Sequence, residues 1–379
     1  MTTGKGSLSA SEHSTQRDAV TGVLVHQMTA AAAINHATYF LQSSFTPGDE
    51  SMIFVSNRSG VAQLYEIAPF PSGPIRQLTD GAAIHAFSPA IHPSGQSIFF
   101  VRGGGLWELE RTSLAERLII EFSGAQLGEP SLGDGANWLV MAIQQGTTRG
   151  LAVGRCDGTG WHVIAFPRTV IHPQFHPLDA EWLEFSGDPA PRMHRIRRDG
   201  SGLECLMDHD NELFIVHETF LGRTGNLVYT VWPKSLHEFN WATRQDRVIA
   251  EFNAWHITPN RDGTKVLCDT NHPDTGLYLI DVATGRRKQI CLSQSSNQGS
   301  QWFRSRYALA EDFAAARSAA KSEGTLSWME VSTDTVYGPQ WTHPHPSFSS
   351  DESRVVFTSD KSGFPQVYVA ELGDLENCL

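Results

Sequence analysis

A repeated unit constrains the fold of this chain more than any other feature of its sequence. In each unit an aromatic or aliphatic residue precedes a turn rich in proline, glycine and aspartate and then a strand-like run, as in SPAIHPSGQSIFFV. Seven units recur, most of them about 40 to 46 residues apart, which is the period of four-stranded propeller blades. The marker residues of the units are Phe45, Ile91, Leu132, Phe175, Phe220, Ile257 and Phe348. The repeat predicts an all-β fold, a seven-bladed β-propeller of four-stranded antiparallel blades; two β-domains or another β-architecture are the alternatives.

The longest interval between markers predicts an insertion. Ile257 and Phe348 are about twice as far apart as other neighbouring markers, and the run ALAEDFAAARSAAKSEG between them is rich in helix-forming residues. We therefore expect a helical insertion near residues 300–325, with a degenerate eighth blade as the competing interpretation. Whether the inserted residues 291–335 cover the site stays open. The segment near residues 27–42 is expected to supply the strand that closes the ring, and residues 1–20 to form a disordered tail before a single propeller domain over residues 21–379.

Charge and cysteine content argue against several classes of protein. The formal net charge of −12 argues against a general nucleic-acid or membrane-surface binder, although a locally cationic site could still take a small anionic substrate. Five cysteines without a CxxC pair argue against a disulfide framework and fit a reducing compartment. The N-terminal residues lack the apolar core of a signal peptide, and no apolar run reaches membrane-spanning length. We therefore expect a cytoplasmic protein.

Histidines occupy related positions in several units. In GPQWTHPHPSF, His343 and His345 stand two residues apart, so in a strand their side chains face the same side, as two ligands of a divalent metal would. Counted back from the marker of its own unit, each candidate histidine lies one, three or five residues away, and odd offsets share one side of the strand. The candidates are His172, His217, His256, His343 and His345. The inner strands of a propeller line its channel, so the sequence predicts that these histidines converge at one end of it, the top.

Several cationic residues are also predicted to lie at the top of the channel. The loops between the second and third strands of the blades open at the top, and they contain Arg58, Arg192, Lys234 and Lys361. Together with His172 these residues are candidates for binding an anionic substrate. Ordinary roles remain open for all of them: the cations could be solvated surface charges, and the histidines could be packed or strand-capping residues.

The last third of the chain resembles a known family. The stretch QWTHPHPSFSSDESRVVFTSDKSG is similar to the metal-binding signature of oligogalacturonate lyases, polysaccharide lyase family 22. The resemblance implies a cytoplasmic seven-bladed propeller that cleaves short pectin fragments by β-elimination with a manganese ion, a carbon–oxygen lyase acting on an anionic oligosaccharide. It also implies the metal ligands, which would be His256, Gln340, His343 and His345. The ligand types alone would equally accept other divalent transition metals.

Two further residue pairs extend the resemblance. The family has an Arg-Met pair followed by a His-Glu pair some 25 residues later, and Arg192-Met193 and His217-Glu218 match that order here. The resemblance implies that His217 is the catalytic base and that Arg192 assists at the reacting centre. The loop FSGDPAPRM is shorter than the family pattern, and this difference puts the exact sugar in doubt. A non-catalytic TolB-like propeller and an enzyme acting on a different uronic-acid sugar are the alternatives; the oligomeric state stays open.

Overall fold

The computed structural model of the protein describes residues 4–210, 212–271, 273–296 and 342–373. Seven antiparallel sheets of four or five strands make up this part of the chain, which confirms the predicted seven-bladed propeller. Two 3-10 turns, Pro47–Asp49 and Asp134–Ala136, are the helical elements of the described residues. The predicted helical insertion near residues 300–325 and the predicted ligand Gln340 lie outside the described residues.

The first four blades follow one another along the chain, with their strands numbered in chain order. From the channel outward, blade 1 contains β4 (Asn35–His36), β5 (Met52–Ser56), β6 (Gln63–Ile67), β7 (Ile75–Gln77) and β1 (Leu8–Ser9). Blade 2 contains β8 (Ala90–Ile91), β9 (Ser97–Arg102), β10 (Gly105–Glu110) and β11 (Glu116–Glu121). Blade 3 contains β12 (Gln126–Leu127) and β13 (Ser131–Leu132), which both pair with β14 (Trp138–Gln145), then β15 (Thr148–Arg155) and β16 (His162–Phe166). Blade 4 contains β17 (Thr169–Phe175), β18 (Trp182–Asp188), β19 (Met193–Arg197) and β20 (Glu204–Cys205).

The remaining blades complete the ring. Blade 5 contains β21 (Ile215–Phe220), β22 (Leu227–Val231), β23 (Ser235–Phe239) and β24 (Asp246–Ala250). Blade 6 contains β25 (Ile257–Pro259), β26 (Lys265–Cys268), β27 (Leu277–Asp281) and β28 (Arg287–Cys291). Blade 7 contains β29 (Ser347–Phe348), β30 (Arg354–Ser359), β31 (Gln366–Glu371), β3 (Leu24–Gln27) and β2 (Ser14–Arg17).

Hydrophobic seams between the blades form the core. Consecutive side chains of a strand point to opposite faces of its sheet, so a blade packed between two neighbours needs apolar residues on both faces. In β30, Val355 belongs to the cluster between blades 6 and 7, whereas Val356 belongs to the cluster between blades 7 and 1. Clusters of the same kind join each of the other neighbouring pairs of blades. The ring is therefore held together by packing between sheets, and each blade depends on its two neighbours.

The N-terminal segment closes the ring at a different place from the one predicted. Strand β3 pairs with β31, with Val25 opposite Ala370, and so completes blade 7. The predicted closing segment, residues 27–42, begins only at the end of this strand. It crosses to the next sheet, where Asn35 and His36 form the inner strand of blade 1.

The expectation of a disordered tail over residues 1–20 fails for the residues described from position 4 onward. Strand β1 pairs with β7, and β2 pairs with β3. These strands bind to sheet edges through backbone hydrogen bonds, which need no apolar side chains and so left no hydrophobic signal in the sequence. Within the described residues, no helix is long and apolar enough to cross a membrane.

The seam between blades 6 and 7 offers a direct test of the packing argument. Phe357 is fully buried in this seam, whereas Phe364, in the same blade, is 46% exposed. We expect Phe357→Ala to lower the free energy of unfolding by about 3–5 kcal/mol, because it leaves a cavity in a closed seam. Urea unfolding followed by circular dichroism measures this change. The matched variant Phe364→Ala should change stability by less than about 0.5 kcal/mol, and equal losses in the two variants would contradict the argument.

Candidate metal centre

Five histidines from four blades come together in the channel. They are His172 in β17, His217 in β21, His256 next to β25, and His343 and His345 ahead of β29. All five are buried. The ring centroids of His256 and His345 lie 4.1 Å apart, those of His256 and His343 5.4 Å, and those of His217 and His256 4.7 Å. The structure thus brings together the histidines that the repeat offsets had selected.

Three of these histidines can hold a metal ion. His256, His343 and His345 each offer a ring nitrogen, and these nitrogens lie within 4.8 Å of one another. Burial and the neighbouring histidines lower the pKa values of His256 and His345 well below the ordinary value, so both rings are neutral near pH 7. The buried Nε2 of His345 has no hydrogen-bond partner among the described residues. Neutral imidazoles with an unsatisfied buried nitrogen fit a divalent transition metal.

A buried carboxylate supports this cluster. Asp269 accepts a hydrogen bond from the backbone N–H of His256 at 2.7 Å, and its second oxygen lies 2.7 Å from Nδ1 of the same residue. Burial raises the pKa of Asp269 well above its ordinary value, and the backbone N–H groups of His256 and His345 oppose that rise. Asp269 is completely buried. Sequence analysis missed this residue, although the turn between β25 and β26 places it opposite His256 in the hairpin.

Three of the channel histidines share an unusual backbone. His172, His217 and His345 have φ values of 54°, 58° and 45°, in the left-handed region. Each of them lies three residues before the marker of its blade. Register irregularities in β17 and β21 span His172 and His217, as expected where a bulge redirects a side chain. Left-handed non-glycine residues of this kind cluster at functional sites.

An aromatic residue of blade 1 packs against the histidines from the channel side. Phe40 is almost completely buried, and its ring lies 5.3 Å from the rings of both His217 and His256. It also contacts His172 and His345 at 5.7 and 6.3 Å. The neighbouring Tyr39 hydroxyl lies 2.8 Å from Nε2 of His172. The segment after β4 therefore fills part of the channel and shields the histidines from water, a role that the sequence did not indicate.

The Arg-Met and His-Glu pairs meet through a buried ion pair. Arg192 donates from Nε to Oε1 of Glu218 at 2.8 Å and from Nη2 to Oε2 at 3.2 Å, while Ser186 donates to the same carboxylate at 2.7 Å. Burial alone would raise the pKa of Glu218, but the charge and hydrogen bonds of Arg192 outweigh it and lower the pKa to about 2. Arg192 also pairs with Asp188 at 3.2 Å. Burial, His256 and His172 hold the pKa of the adjacent His217 well below its ordinary value.

Two further buried carboxyls lie near this group. Burial raises the pKa of Glu129 to about 7, and its Oε1 has no hydrogen-bond partner among the described residues. Glu184 is completely buried with neither oxygen hydrogen-bonded within the described chain, and burial raises its pKa well above the ordinary value. Glu129 lies three residues before the marker Leu132, the offset shared by three channel histidines. The offset rule would have selected Glu129 from the sequence if it had been applied to carboxylates as well.

The other candidates for substrate binding have partners outside the histidine cluster. Arg58 pairs with Glu12 at 3.0 Å and donates to Asn35 at 2.9 Å. The Lys361 ammonium lies 4.3 Å from the centre of the Tyr368 ring. Lys234 follows the cis peptide Trp232–Pro233, and its backbone N–H donates to Val231. The roles predicted for Arg58, Lys234, Lys361 and His172 stay predictions.

Comparison with known proteins reveals similarity over nearly the whole chain. No family model matches. The chain is 22% identical to a protein named oligogalacturonide lyase from Pectobacterium atrosepticum, over 95% of this chain and 96% of that one, and 23% identical to an oligogalacturonate lyase from Dickeya dadantii, over 97% of each. A solved structure of an oligogalacturonate lyase in complex with manganese superposes with a TM-score of 0.81 at 20% identity, covering 98% of this chain and 99% of that one. The oligogalacturonate lyase structure from Vibrio parahaemolyticus gives 0.78 at 20% identity, with the same coverage. At this identity the solved structures establish the fold, and the full-length similarity confirms the resemblance to oligogalacturonate lyases predicted from the sequence.

Proposed function

We propose that this protein is a metal-dependent lyase that cleaves short oligogalacturonides by β-elimination to unsaturated uronates. The observation that carries the proposal is the cluster of His256, His343 and His345 beside His217 in the channel of a propeller. Similarity to proteins named oligogalacturonate lyase supports the substrate class. A reducing cytoplasmic compartment accords with free Cys156, Cys205, Cys268 and Cys291.

The residues of the cluster suit a metal that acts on a carboxylate. His256, His343 and His345 would hold the ion together with Gln340. Neutral imidazoles leave a divalent ion its full charge, so when bound it supplies electrostatic stabilisation for the negative charge that grows on the substrate carboxylate. Manganese is proposed because a related lyase has been solved in complex with it, while imidazole ligands also suit zinc, nickel and iron.

His217 is proposed as the base that removes the C5 proton of the uronate. A base must be neutral before it accepts a proton, and burial among other imidazoles keeps His217 in that form. Its buried Nδ1 has no hydrogen-bond partner among the described residues. The Trp255 ring packs edge-on at 4.5 Å and restricts the imidazole. A neutral, restrained imidazole beside a metal cluster has the properties that proton abstraction next to a carboxylate requires.

Arg192 is proposed to assist at the same centre through its fixed positive charge. Its guanidinium is within electrostatic reach of His217 and His172, and it lowers the pKa of both. Two hydrogen bonds that Arg192 donates to Glu218 determine where that charge lies. Arg58, His172, Lys234 and Lys361 are proposed as secondary contacts for an anionic oligosaccharide.

Two other functions would use the same fold. A TolB-like propeller could act as a non-catalytic binding module, but such a module has no need of a buried cluster of neutral histidines. An enzyme for a different uronic-acid sugar would keep the cluster and the base and differ in the residues that contact the sugar. Substrate screening separates this second alternative from the proposal.

One prediction of the proposed function concerns activity and metal together. Incubation with digalacturonate or trigalacturonate and Mn²⁺ should raise the absorbance near 235 nm, where a conjugated unsaturated uronate absorbs, as expected of this elimination. EDTA should abolish the rise, and so should His345→Ala, because that variant removes one of the proposed ligands. The exposed His162 provides the matched control, since His162→Ala should retain full activity. No rise with any divalent metal would reject the proposed substrate.

A separate prediction distinguishes the proposed base from the proposed metal ligands. We expect His217→Asn to lower turnover by at least about a hundredfold, because general-base catalysis typically contributes this much or more. Asparagine tolerates the left-handed backbone at this position, so the fold should persist. Manganese affinity, measured by calorimetry, should stay near that of the unchanged protein. Full activity in this variant would exclude His217 as the base.

A further inference from the structure

We infer that Asp269 is a positioning residue that sets the tautomer and the orientation of His256, one of the proposed metal ligands. This inference rests on the metal site of the proposed function. It concerns a residue that would touch neither metal nor substrate. The observation behind it is a buried carboxylate whose two oxygens both contact His256, one its backbone N–H and the other its Nδ1.

The hairpin of blade 6 brings the carboxylate to this place. Ile257 pairs with Cys268, so the next residues outward, His256 and Asp269, face each other at the end of the hairpin. Both Asp269 oxygens lie 2.7 Å from nitrogens of His256, one from the backbone N–H and one from Nδ1. Two bonds to one residue restrict both its backbone and the rotation of its ring.

The contact with Nδ1 determines which ring nitrogen carries the proton. Burial raises the pKa of Asp269 well above its ordinary value, and hydrogen bonds from backbone N–H groups oppose that rise. In its ionised form the carboxylate can only accept a hydrogen bond, so a neutral His256 beside it carries its hydrogen on Nδ1. Its Nε2 is then left with a lone pair, which is the form that a metal ligand needs. Carboxylate–histidine pairs of this kind also increase the basicity of the ligating nitrogen.

A second ligand lies close to the same carboxylate. The ring of His345 is 4.1 Å from that of His256, and the backbone N–H of His345 opposes the rise in the pKa of Asp269 that burial causes. The orientation of His256 therefore determines how its ring faces that of His345.

Asparagine at this position would reverse the hydrogen-bond pattern with almost no change in shape. Its oxygen must face the backbone N–H of His256, which places its NH₂ group against Nδ1. An NH₂ group donates, so Nδ1 would have to accept and the hydrogen would move to Nε2. In that tautomer Nε2 has no lone pair available for a metal.

The decisive experiment combines tautomer and affinity measurements on the full chain. Long-range ¹H–¹⁵N correlation spectra of metal-free, ¹⁵N-histidine-labelled protein report which nitrogen of His256 is protonated, with its signals assigned by their loss in His256→Asn. We expect the Nδ1–H form in the unchanged protein and the Nε2–H form in Asp269→Asn. Calorimetry with Mn²⁺ alone should show affinity reduced about 10- to 100-fold in Asp269→Asn, the usual effect of removing such a partner. Asp274→Asn, at a partly buried aspartate of the same blade bonded to Ser293, should leave both readouts unchanged.

A third variant separates the proposed role from a merely structural one. Asp269→Ala removes the acceptor without imposing the wrong tautomer, so it should bind Mn²⁺ at least as well as Asp269→Asn. A purely structural carboxylate predicts the reverse order, because alanine also removes the bonds to the backbone. An Nε2–H tautomer in the unchanged protein, or unchanged affinity in Asp269→Asn, would overturn the inference. If the unchanged protein bound no metal, the proposed metal site would fail, while the tautomer spectra would still decide the role of Asp269.

Discussion

Packing between blades is the constraint on which the rest of this structure depends. Each sheet is apolar on both faces, so a single blade cannot bury its side chains and the ring must close on itself. Closure requires β3, near the start of the chain, to pair with β31 near its end, with Val25 opposite Ala370. This closed ring also holds the inner strands around one axis. Residues as distant in sequence as His172 and His345 thereby come to face the same channel.

The same repetition explains how much could be predicted from the sequence. A marker that recurs once per blade defines equivalent backbone positions, and odd offsets from it select one side of the inner strand. This reasoning found the blades and the five channel histidines without any contact information. It did not find features that differ from one repeat to the next. Pairing of β1 and β2 depends on backbone groups, Phe40 reaches the channel from a loop, and the left-handed conformation of His217 has no signature in residue type.

The role of Asp269 could have been found by another route. Its partner His256 is 13 residues away, and the two are related only by the register of a hairpin. Locating the turn between β25 and β26 from the sequence would have placed them opposite each other. Gln340 illustrates the opposite case, because the resemblance alone suggests it and it lies outside the described residues. Sequence motifs identify ligands more readily than the groups that orient them, because an orienting group needs only to lie close in space.

Several buried polar groups in the channel lower the stability of the fold. Buried ion pairs such as Arg192–Glu218 contribute little net stability, because desolvation offsets most of their attraction, and a buried carboxyl without hydrogen bonds, such as Glu184, is unfavourable. The apolar seams stabilise the fold and allow these groups to be held where they are. The ion pair between Arg192 and Glu218 therefore serves to hold a positive charge beside His217.

The equivalent positions three residues before each marker indicate how one symmetric scaffold produces an asymmetric site. Reading around the ring from blade 1, they are Gln42, Ser88, Glu129, His172, His217, Ala254 and His345. Four of these residues, in blades 3, 4, 5 and 7, are titratable, whereas blades 1, 2 and 6 contribute neutral side chains. In blade 6 the position three residues before the marker is Ala254, and the histidine is instead His256, directly before the marker. His256 lies opposite Asp269 in the hairpin of β25 and β26. Because of this change of position, the proposed ligand in blade 6 has a carboxylate as its hydrogen-bond partner. The fold thus supplies equivalent positions, and the choice of side chain at each of them determines the chemistry.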